Sequence, residues 1–208
     1  MKKLFGLLAF ALIFPLQACA QQQPWQEGTH YEVIADEATA KPEIMEFFSF
    51  WCPACNAFEP LVAQMKSKTD DNVKFNKVHV NFMGFAEKET QDSATRAMLV
   101  GRALKQEDKL NKAIFDYIHK QNASITEMRD LRNIFQLQGV EAEKFDKLAD
   151  SFGVNNMMGR NNKNIEKYRQ HLGGVPAFII NGKYKAKFTR DMTPDQMVDL
   201  VVWLTEQK

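Results

Sequence analysis

The sequence predicts an α/β protein in which a run of helices interrupts a set of strands. Alternating or apolar segments typical of strands occur before residue 81 and after residue 172, whereas residues 87–170 carry no strand pattern. A Cys-x-x-Cys motif follows the most apolar of these strands directly. Together these observations indicate one α/β domain that is divided by an all-helical insertion, with reactive thiols where its central strand ends.

The first 20 residues have the composition of an export signal. Two lysines precede an apolar run over residues 4–16 that is too short to span a bilayer, and a small-x-small sequence ends at Ala20. Export places the rest of the chain in an oxidising compartment. Residues 16–19 also resemble a lipoprotein signal that would lipidate Cys19. Because Gln17 is unusual in such a signal, we favour soluble export.

Charge and length restrict the class of protein. The chain carries 27 basic and 26 acidic side chains, and without residues 1–20 it keeps 25 basic against 26 acidic, a formal charge of −1. Near neutrality argues against a nucleic-acid partner. The sequence contains no internal repeat and no second apolar segment long enough to cross a membrane. It therefore fits an exported globular protein.

The motif Cys52-Pro53-Ala54-Cys55 lies between a predicted strand and a predicted helix. Proline is tolerated in the first turn of a helix, so the helix is expected to open at Cys52. Unpaired N–H groups and the helix dipole favour a thiolate there, and Cys55 lies one turn further along the same face. The sequence therefore predicts a thiol–disulfide exchange site, with Cys52 and Cys55 as catalytic residues.

Two other interpretations of the motif fit less well. A zinc site needs four ligands, and one Cys-x-x-Cys supplies two. The remaining cysteine lies in the leader, and the histidines show no paired ligand spacing: His30, His79, His119 and His171. An inert structural disulfide rarely occupies a strand-to-helix junction with proline between its cysteines. No metal and no cofactor is therefore expected beyond the redox-active disulfide itself.

Three strands are predicted before the helical run, over residues 31–34, 43–50 and 73–80. Glu46 is an acid within the apolar central strand. If it is buried near Cys55, burial raises its pKa and allows it to carry a proton for that thiol; if the pleat turns it outward, it is only a surface group. The pattern leaves both open. Lys77 and His79 share a face of the third strand, where either can point towards the acid or to solvent.

Helical spacing predicts five helices between about residues 87 and 170. A capping box over residues 124–127 is expected to open the third, which Gly139 closes. The fourth is expected over residues 141–152, stopped at Gly153, and the fifth over residues 155–170. The chain then returns to strand at residues 173–180. Asn181-Gly182 predicts a hairpin into residues 183–185, and a capping box at Thr193 opens a terminal helix.

The whole mature chain resembles the DsbA family of exported thiol–disulfide oxidoreductases. The resemblance rests on residues 46–50 before the cysteines, residues 77–84 after the next strand, residues 174–178 and residues 181–184. It implies a thioredoxin fold with an inserted all-helical domain. The expected boundaries are a signal peptide at 1–20, a first thioredoxin-like part at 21–86, the helical insertion at 87–162 and a second thioredoxin-like part at 163–208.

The resemblance also implies roles for individual residues. Pro176 corresponds to the family's cis-proline beside the disulfide, and the backbone of Val175 before it would bind an incoming peptide as an added strand. Pro53 and Ala54 complete this substrate-binding surface. Glu46 and Lys77 match a buried charged pair beneath the active site, which favours the inward, proton-carrying role for Glu46.

The implied function is oxidative folding in the periplasm. The resemblance implies that the mature protein acts as a monomer, donates its Cys52–Cys55 disulfide to reduced or unfolded exported proteins and is reoxidised by a DsbB-type membrane protein. Many members have histidine where this chain has Ala54, and alanine cannot stabilise the neighbouring thiolate by charge. We therefore expect a less oxidising disulfide here. A disulfide reductase or isomerase and a non-enzymatic peptide-binding chaperone are the alternative functions.

Overall fold

The computed structural model describes residues 25–207, so the predicted leader and Cys19 lie outside the described residues. Five strands are present, β1 Tyr31–Val33, β2 Glu43–Phe48, β3 Lys74–His79, β4 Ala177–Ile180 and β5 Tyr184–Ala186. The helices within the described residues are α1 Pro53–Lys68, α2 Lys88–Ala103, α3 Glu107–His119, α4 Met128–Leu137, α5 Ala142–Ala149, α6 Phe152–Tyr168 and α7 Pro194–Thr205, with a 3-10 turn at Arg169–His171. Each predicted strand is confirmed, and no end differs from the prediction by more than four residues.

The strands form one mixed sheet in the order β1-β5-β4-β2-β3. β2 is parallel to β3 and antiparallel to β4, and the other neighbours are antiparallel. Ile44 packs with α1 and α7 on one face of β2, whereas Met45 and Phe47 pack with α6 on the other. Helices therefore cover both faces of the central strand, which explains why successive residues on both of its faces are apolar, apart from Glu43 and Glu46.

The five helices α2–α6 form the insertion between β3 and β4, as the sequence predicts. Their apolar side chains share one core with Phe48, Phe50, Cys52 and Cys55, so the insertion packs directly beneath the cysteine motif. α6 runs without a break past residue 162, and the last predicted domain boundary therefore falls inside a helix.

Side chains from the insertion cover the outer edge of β3, the last strand of the sheet. The guanidinium of Arg102 in α2 donates to the carbonyl of Lys77 at 2.9 Å, and the amide of Asn161 in α6 donates to the carbonyl of His79 at 2.9 Å. Both carbonyls point away from β2, because alternate residues of a strand direct their backbone groups to opposite sides. The insertion thus satisfies backbone groups that a lone edge strand would expose.

Two helix boundaries differ from the prediction. The box over residues 124–127 does not open α4, which begins at Met128: Asp130 instead accepts hydrogen bonds from the backbone N–H groups of Thr126 and Glu127. An acid in the first turn satisfies donors that the helix leaves free, and this second box lies three residues further along the chain. Gly139 does follow α4 with a φ of +90°.

Gly153 does not stop a helix. α5 ends at Ala149, and Ser151 then caps α6 by accepting a hydrogen bond from the backbone N–H of Val154 at 3.2 Å. Gly153 lies within the first turn of α6. A serine side chain at the N-cap position stabilises a helix start, and this outweighs the modest preference of glycine against helical positions.

The turn between β4 and β5 and the cap of α7 follow the prediction. Asn181 and Gly182 both have positive φ, at 52° and 64°, which is the conformation that Asn-Gly favours in a hairpin. Thr193 accepts from the N–H of Gln196 while the Gln196 side chain accepts from the N–H of Thr193, and Pro194 occupies the first position of α7. The terminal helix therefore begins where its capping box indicates.

Candidate active site

The two cysteines lie at the start of α1. Cys52 is the N-cap residue in an extended conformation, and Pro53 follows as the first helical residue. The backbone N–H of Cys55 donates to the sulfur of Cys52 at 3.2 Å. Both sulfurs are free thiols in this structure, and their residues are buried, with Cys52 5% exposed and Cys55 fully covered. Cys52 therefore receives a hydrogen bond from a helix start, the arrangement that favours a thiolate.

The loop before β4 lies against Cys52. The peptide bond between Val175 and Pro176 is cis, as the resemblance implies, and the thiol of Cys52 donates to the carbonyl oxygen of Val175 at 3.4 Å. Val175 and Pro176 are half-buried, while Pro53 and Ala54 are exposed on the other side of the sulfur. Of the four predicted substrate-binding residues, Val175 thus presents a backbone carbonyl to the thiol of Cys52.

Beneath α1, Glu46 points inward. It lies opposite Lys77 in the parallel pairing of β2 and β3, and the Lys77 ammonium is 2.7 Å from one of its carboxyl oxygens. Both side chains are at least 98% buried. The same ammonium donates at 2.6 Å to Glu59, which extends from α1 and is 27% exposed. Two carboxylates thus share one ammonium.

The presence of two carboxylates and one ammonium determines which member of this cluster binds a proton. Burial raises the pKa of Glu46, and the nearby Lys77 opposes this only in part. Burial alone would lower the pKa of Lys77, but the carboxylates of Glu46 and Glu59 outweigh it and raise that pKa. The lysine therefore stays charged, and the buried carboxyl is the member of the cluster that can take up a proton.

Burial also raises the pKa of the Cys55 thiol, and the neighbouring Cys52 and Glu46 act in the same direction. Cys55 is consequently a poor thiolate and requires a proton when its sulfur is released from a disulfide. From the sheet, the Glu46 carboxylate acts on this thiol through its charge. The two cysteines thus lie in different surroundings: Cys52 accepts a hydrogen bond at the start of α1, whereas burial raises the pKa of the Cys55 thiol.

His79 does not join this cluster. Its Nδ1 lies 2.8 Å from the hydroxyl oxygen of Thr95 in α2, and its ring packs against Phe50 at a centroid distance of 4.9 Å. Complete burial lowers its pKa to about 3, so the ring is neutral. Of the two residues predicted to face the acid from β3, Lys77 does so and His79 does not.

Sequence reasoning missed two residues at this site. Glu59 is seven residues after Cys52, a spacing of about two helical turns that places both on one face of α1, and the sequence alone contains this signal. His119, the last residue of α3, lies 2.8 Å through Nε2 from the carbonyl oxygen of Phe50. No sequence pattern links residues 69 positions apart, so only the fold reveals this contact.

A cleft lies beside Trp51, the residue before the nucleophilic position. Its volume is about 600 Å³, and it is lined by apolar side chains that include Trp51, Phe85, Ile118 and Ile125. Phe85 is 54% exposed there. Between residues 25 and 207 there is no group of three or more His, Cys, Asp or Glu side chains that could hold a metal ion. The same residues include no helix that is long and apolar enough to cross a membrane.

Comparisons with known proteins agree with this geometry. The family model described as a DSBA-like thioredoxin domain matches residues 43–201. The thiol:disulfide interchange proteins DsbA of Shigella flexneri and of Escherichia coli K12 are each 32% identical over 217 residues, covering all of both chains. The solved structure of the disulfide oxidoreductase DsbA from Proteus mirabilis has a TM-score of 0.77 at 30% identity, covering 88% of this chain and 98% of that one. The chain therefore belongs to the DSBA-like thioredoxin family and is a thiol:disulfide oxidoreductase.

Proposed function

We propose that this protein donates its Cys52–Cys55 disulfide to newly exported proteins in the periplasm and is reoxidised by a DsbB-type membrane protein. The observation that carries this proposal is the asymmetry of the two cysteines. Cys52 meets the N–H of Cys55 and the Val175 carbonyl, whereas Cys55 lies in the core above Glu46. A disulfide donor needs one sulfur that leaves readily towards the substrate and one that stays protected.

The reaction proceeds by two exchanges. A substrate thiolate attacks the Cys52 sulfur, the bond between Cys52 and Cys55 breaks, and the Cys55 sulfur takes both bonding electrons. Because its pKa is raised, Cys55 then gains a proton, which Glu46 can supply. A second substrate thiolate attacks the substrate sulfur of the mixed disulfide, and Cys52 leaves as the thiolate. The substrate loses two electrons, and the Cys52–Cys55 pair gains them.

Substrate binding is proposed along the backbone at Val175 and Pro176. A strand-like segment that pairs with backbone groups is held with little dependence on its side chains, which suits an enzyme with many substrates. Pro53 and Ala54 would border the same segment from α1. A DsbA from Proteus mirabilis, 28% identical to this chain, has been solved with a non-covalently bound peptide that contains a cysteine, which supports the proposal.

The proposal includes the cellular setting. Export to the periplasm rests on the predicted leader, and action as a monomer rests on the absence of a recognisable dimerisation segment in the sequence. Reoxidation by a membrane protein restores the disulfide by the reverse exchange at Cys52, with the two electrons passed to the membrane oxidase. Activity without an added metal or organic cofactor follows from this scheme, because the disulfide itself is the oxidant.

The test uses the oxidised mature protein and a reduced polypeptide with two cysteines. We expect stoichiometric oxidation of the polypeptide by the wild type and none by Cys52→Ser or Cys55→Ser, because neither variant can form the Cys52–Cys55 disulfide that serves as the oxidant. The equilibrium with glutathione then gives the reduction potential. A potential as low as that of a thioredoxin would instead support a reductase or isomerase. Undiminished suppression of aggregation by Cys52→Ser, without any oxidation by the wild type, would support a chaperone.

A further inference from the structure

Phe50, two residues before Cys52, is held from two sides by histidines. The His79 ring packs on its side chain, with the ring planes 30° apart, and Phe115 of α3 packs on another side at 5.0 Å. The Nε2 atom of His119 lies 2.8 Å from its carbonyl oxygen. Phe50 thus connects the loop that carries the nucleophile to both the sheet and the inserted helices.

The hydrogen-bond partners identify which ring nitrogens carry protons. A carbonyl oxygen only accepts, so Nε2 of His119 is the donor to Phe50. The Thr95 hydroxyl donates to the Gln91 carbonyl at 3.0 Å, so it accepts from Nδ1 of His79. The Nε2 of His79 consequently has no proton, and it has no partner among the described residues. His79 therefore holds Phe50 by packing, and His119 holds it by a hydrogen bond.

Between residues 25 and 207, no other side chain of the insertion forms a hydrogen bond with residues 49–52. The other hydrogen bonds of residues 49–52 are made within the loop, to the start of α1 and to Val175. No other hydrogen bond joins this loop to α2–α6. The orientation of the peptide group between Phe50 and Trp51 is thus fixed from the insertion by one side chain.

We propose that His119 is a positioning residue that keeps the reduced Cys52 aligned with the N–H group of Cys55. In the oxidised protein the disulfide itself holds Cys52 in place. In the dithiol form only hydrogen bonds and packing do so, and the bond from His119 fixes the peptide group one residue before Cys52. Its loss should therefore destabilise the reduced form more than the oxidised form, and so make the disulfide a weaker oxidant. This inference rests on the proposed function.

Because residue 54 is alanine, the reduced Cys52 depends more on the backbone geometry that His119 supports. Ala54 is exposed and has no polar side chain, so it offers the Cys52 sulfur neither a charge nor a hydrogen bond. Among the described residues, the backbone N–H of Cys55 then supplies the hydrogen bond that the Cys52 sulfur accepts. A group that holds the preceding backbone consequently influences the redox equilibrium without touching sulfur.

The test measures the equilibrium constant with glutathione for three variants of the full mature protein. We expect His119→Leu to be roughly three- to tenfold less oxidising than the wild type, in line with the loss of one hydrogen bond. His119→Gln should restore most of the difference, because its amide nitrogen can donate to the same carbonyl. Gln121→Leu, an apolar substitution at an exposed position two residues further along, should leave the constant unchanged.

A second measurement reports on the loop directly. The substitutions Trp25→Phe and Trp203→Phe leave Trp51 as the only tryptophan, and its fluorescence anisotropy in the reduced protein should fall with His119→Leu but not with His119→Gln. Folding of each variant is checked by thermal melting of the oxidised form, in which the disulfide holds the loop. If His119→Leu does not fold, the comparison of His119→Gln with His119→Asn, whose shorter amide cannot reach, replaces it.

The outcomes separate this inference from the proposed function. An unchanged glutathione constant and anisotropy in folded His119→Leu, with an active wild type, would overturn the positioning role and leave the proposed function intact. A wild type that fails to oxidise substrate would overturn the proposed function, while the glutathione constants could still show the effect of His119. A glutathione constant that falls equally in His119→Leu and His119→Gln would also contradict the hydrogen-bond explanation.

Discussion

Replacing Lys77 with methionine should destabilise the reduced protein severely. The change keeps most of the side-chain volume but removes the only ammonium that residues 25–207 place within hydrogen-bonding distance of the buried Glu46 carboxylate. Removing one partner of a buried ion pair leaves an uncompensated charge and costs about 3–5 kcal/mol. We expect the full cost here, since the Glu46 side chain is completely buried, whereas the partly exposed Glu59 can be solvated by water.

The loss of stability caused by Lys77→Met should increase as the pH rises. Burial already raises the pKa of Glu46 above its usual 4.5, and removing the Lys77 charge should raise it further. Between the unfolded and the folded pKa of Glu46, its carboxyl is protonated in the folded variant and ionised in the unfolded chain. The stability of the variant is therefore retained in acid and lost as the pH rises towards the folded pKa of Glu46. The wild type should show a smaller dependence of the same sign.

Urea denaturation of the reduced protein at about pH 5 and about pH 8 provides the assay. The matched control is the double variant Glu46→Gln, Lys77→Met, which removes the buried charge and should recover most of the lost stability at the higher pH. Equal losses at both pH values, or a double variant less stable than Lys77→Met, would refute the assignment of a buried charge to Glu46.

Three further predictions concern separate parts of the molecule. Ala54→His should make the disulfide more oxidising, because a positive charge beside Cys52 stabilises its thiolate; an unchanged equilibrium constant with glutathione would contradict this. Gly182→Ala should lower the free energy of unfolding by about 1–3 kcal/mol, because φ is +64° and a Cβ would lie 3.0 Å from Thr39. The control Gly84→Ala, at a position with open space, should change the free energy of unfolding little; both are measured by urea denaturation. Thr193→Ala should lower the free energy of unfolding by about 1 kcal/mol through loss of the α7 cap, and Thr193→Ser should keep the wild-type stability in the same assay.

The strands and the site were predictable because their signals are local. The Cys-x-x-Cys motif, the strand before it and the proline within it occupy consecutive positions, so the start of α1 could be derived from the residues alone. The inward direction of Glu46 could not, because alternation in one strand does not say which face is buried when both are apolar. The pairing of β2 with β3, which sets Glu46 beside Lys77, decides it.

The errors arose where two local signals compete. Residues 124–127 have the sequence form of a capping box, whereas the box that is used joins Glu127 and Asp130, which lack the usual Ser or Thr at the first position. Between α5 and α6, a glycine and a serine lie two positions apart, and the serine cap determines the boundary. The contact of His119 with Phe50 is of a different kind, since it depends on how the insertion packs against the sheet.

Arg102 and Asn161 bind carbonyls at the outer edge of β3, and this limits how the helical insertion can be gained or lost. The helices do more than add a surface beside the cysteines, since they occupy the side of the sheet on which another chain could add a strand. Deleting residues 88–168 would therefore expose an edge that can pair with another chain, as well as removing the His119 contact. A shortened form would need other side chains to cover the β3 carbonyls.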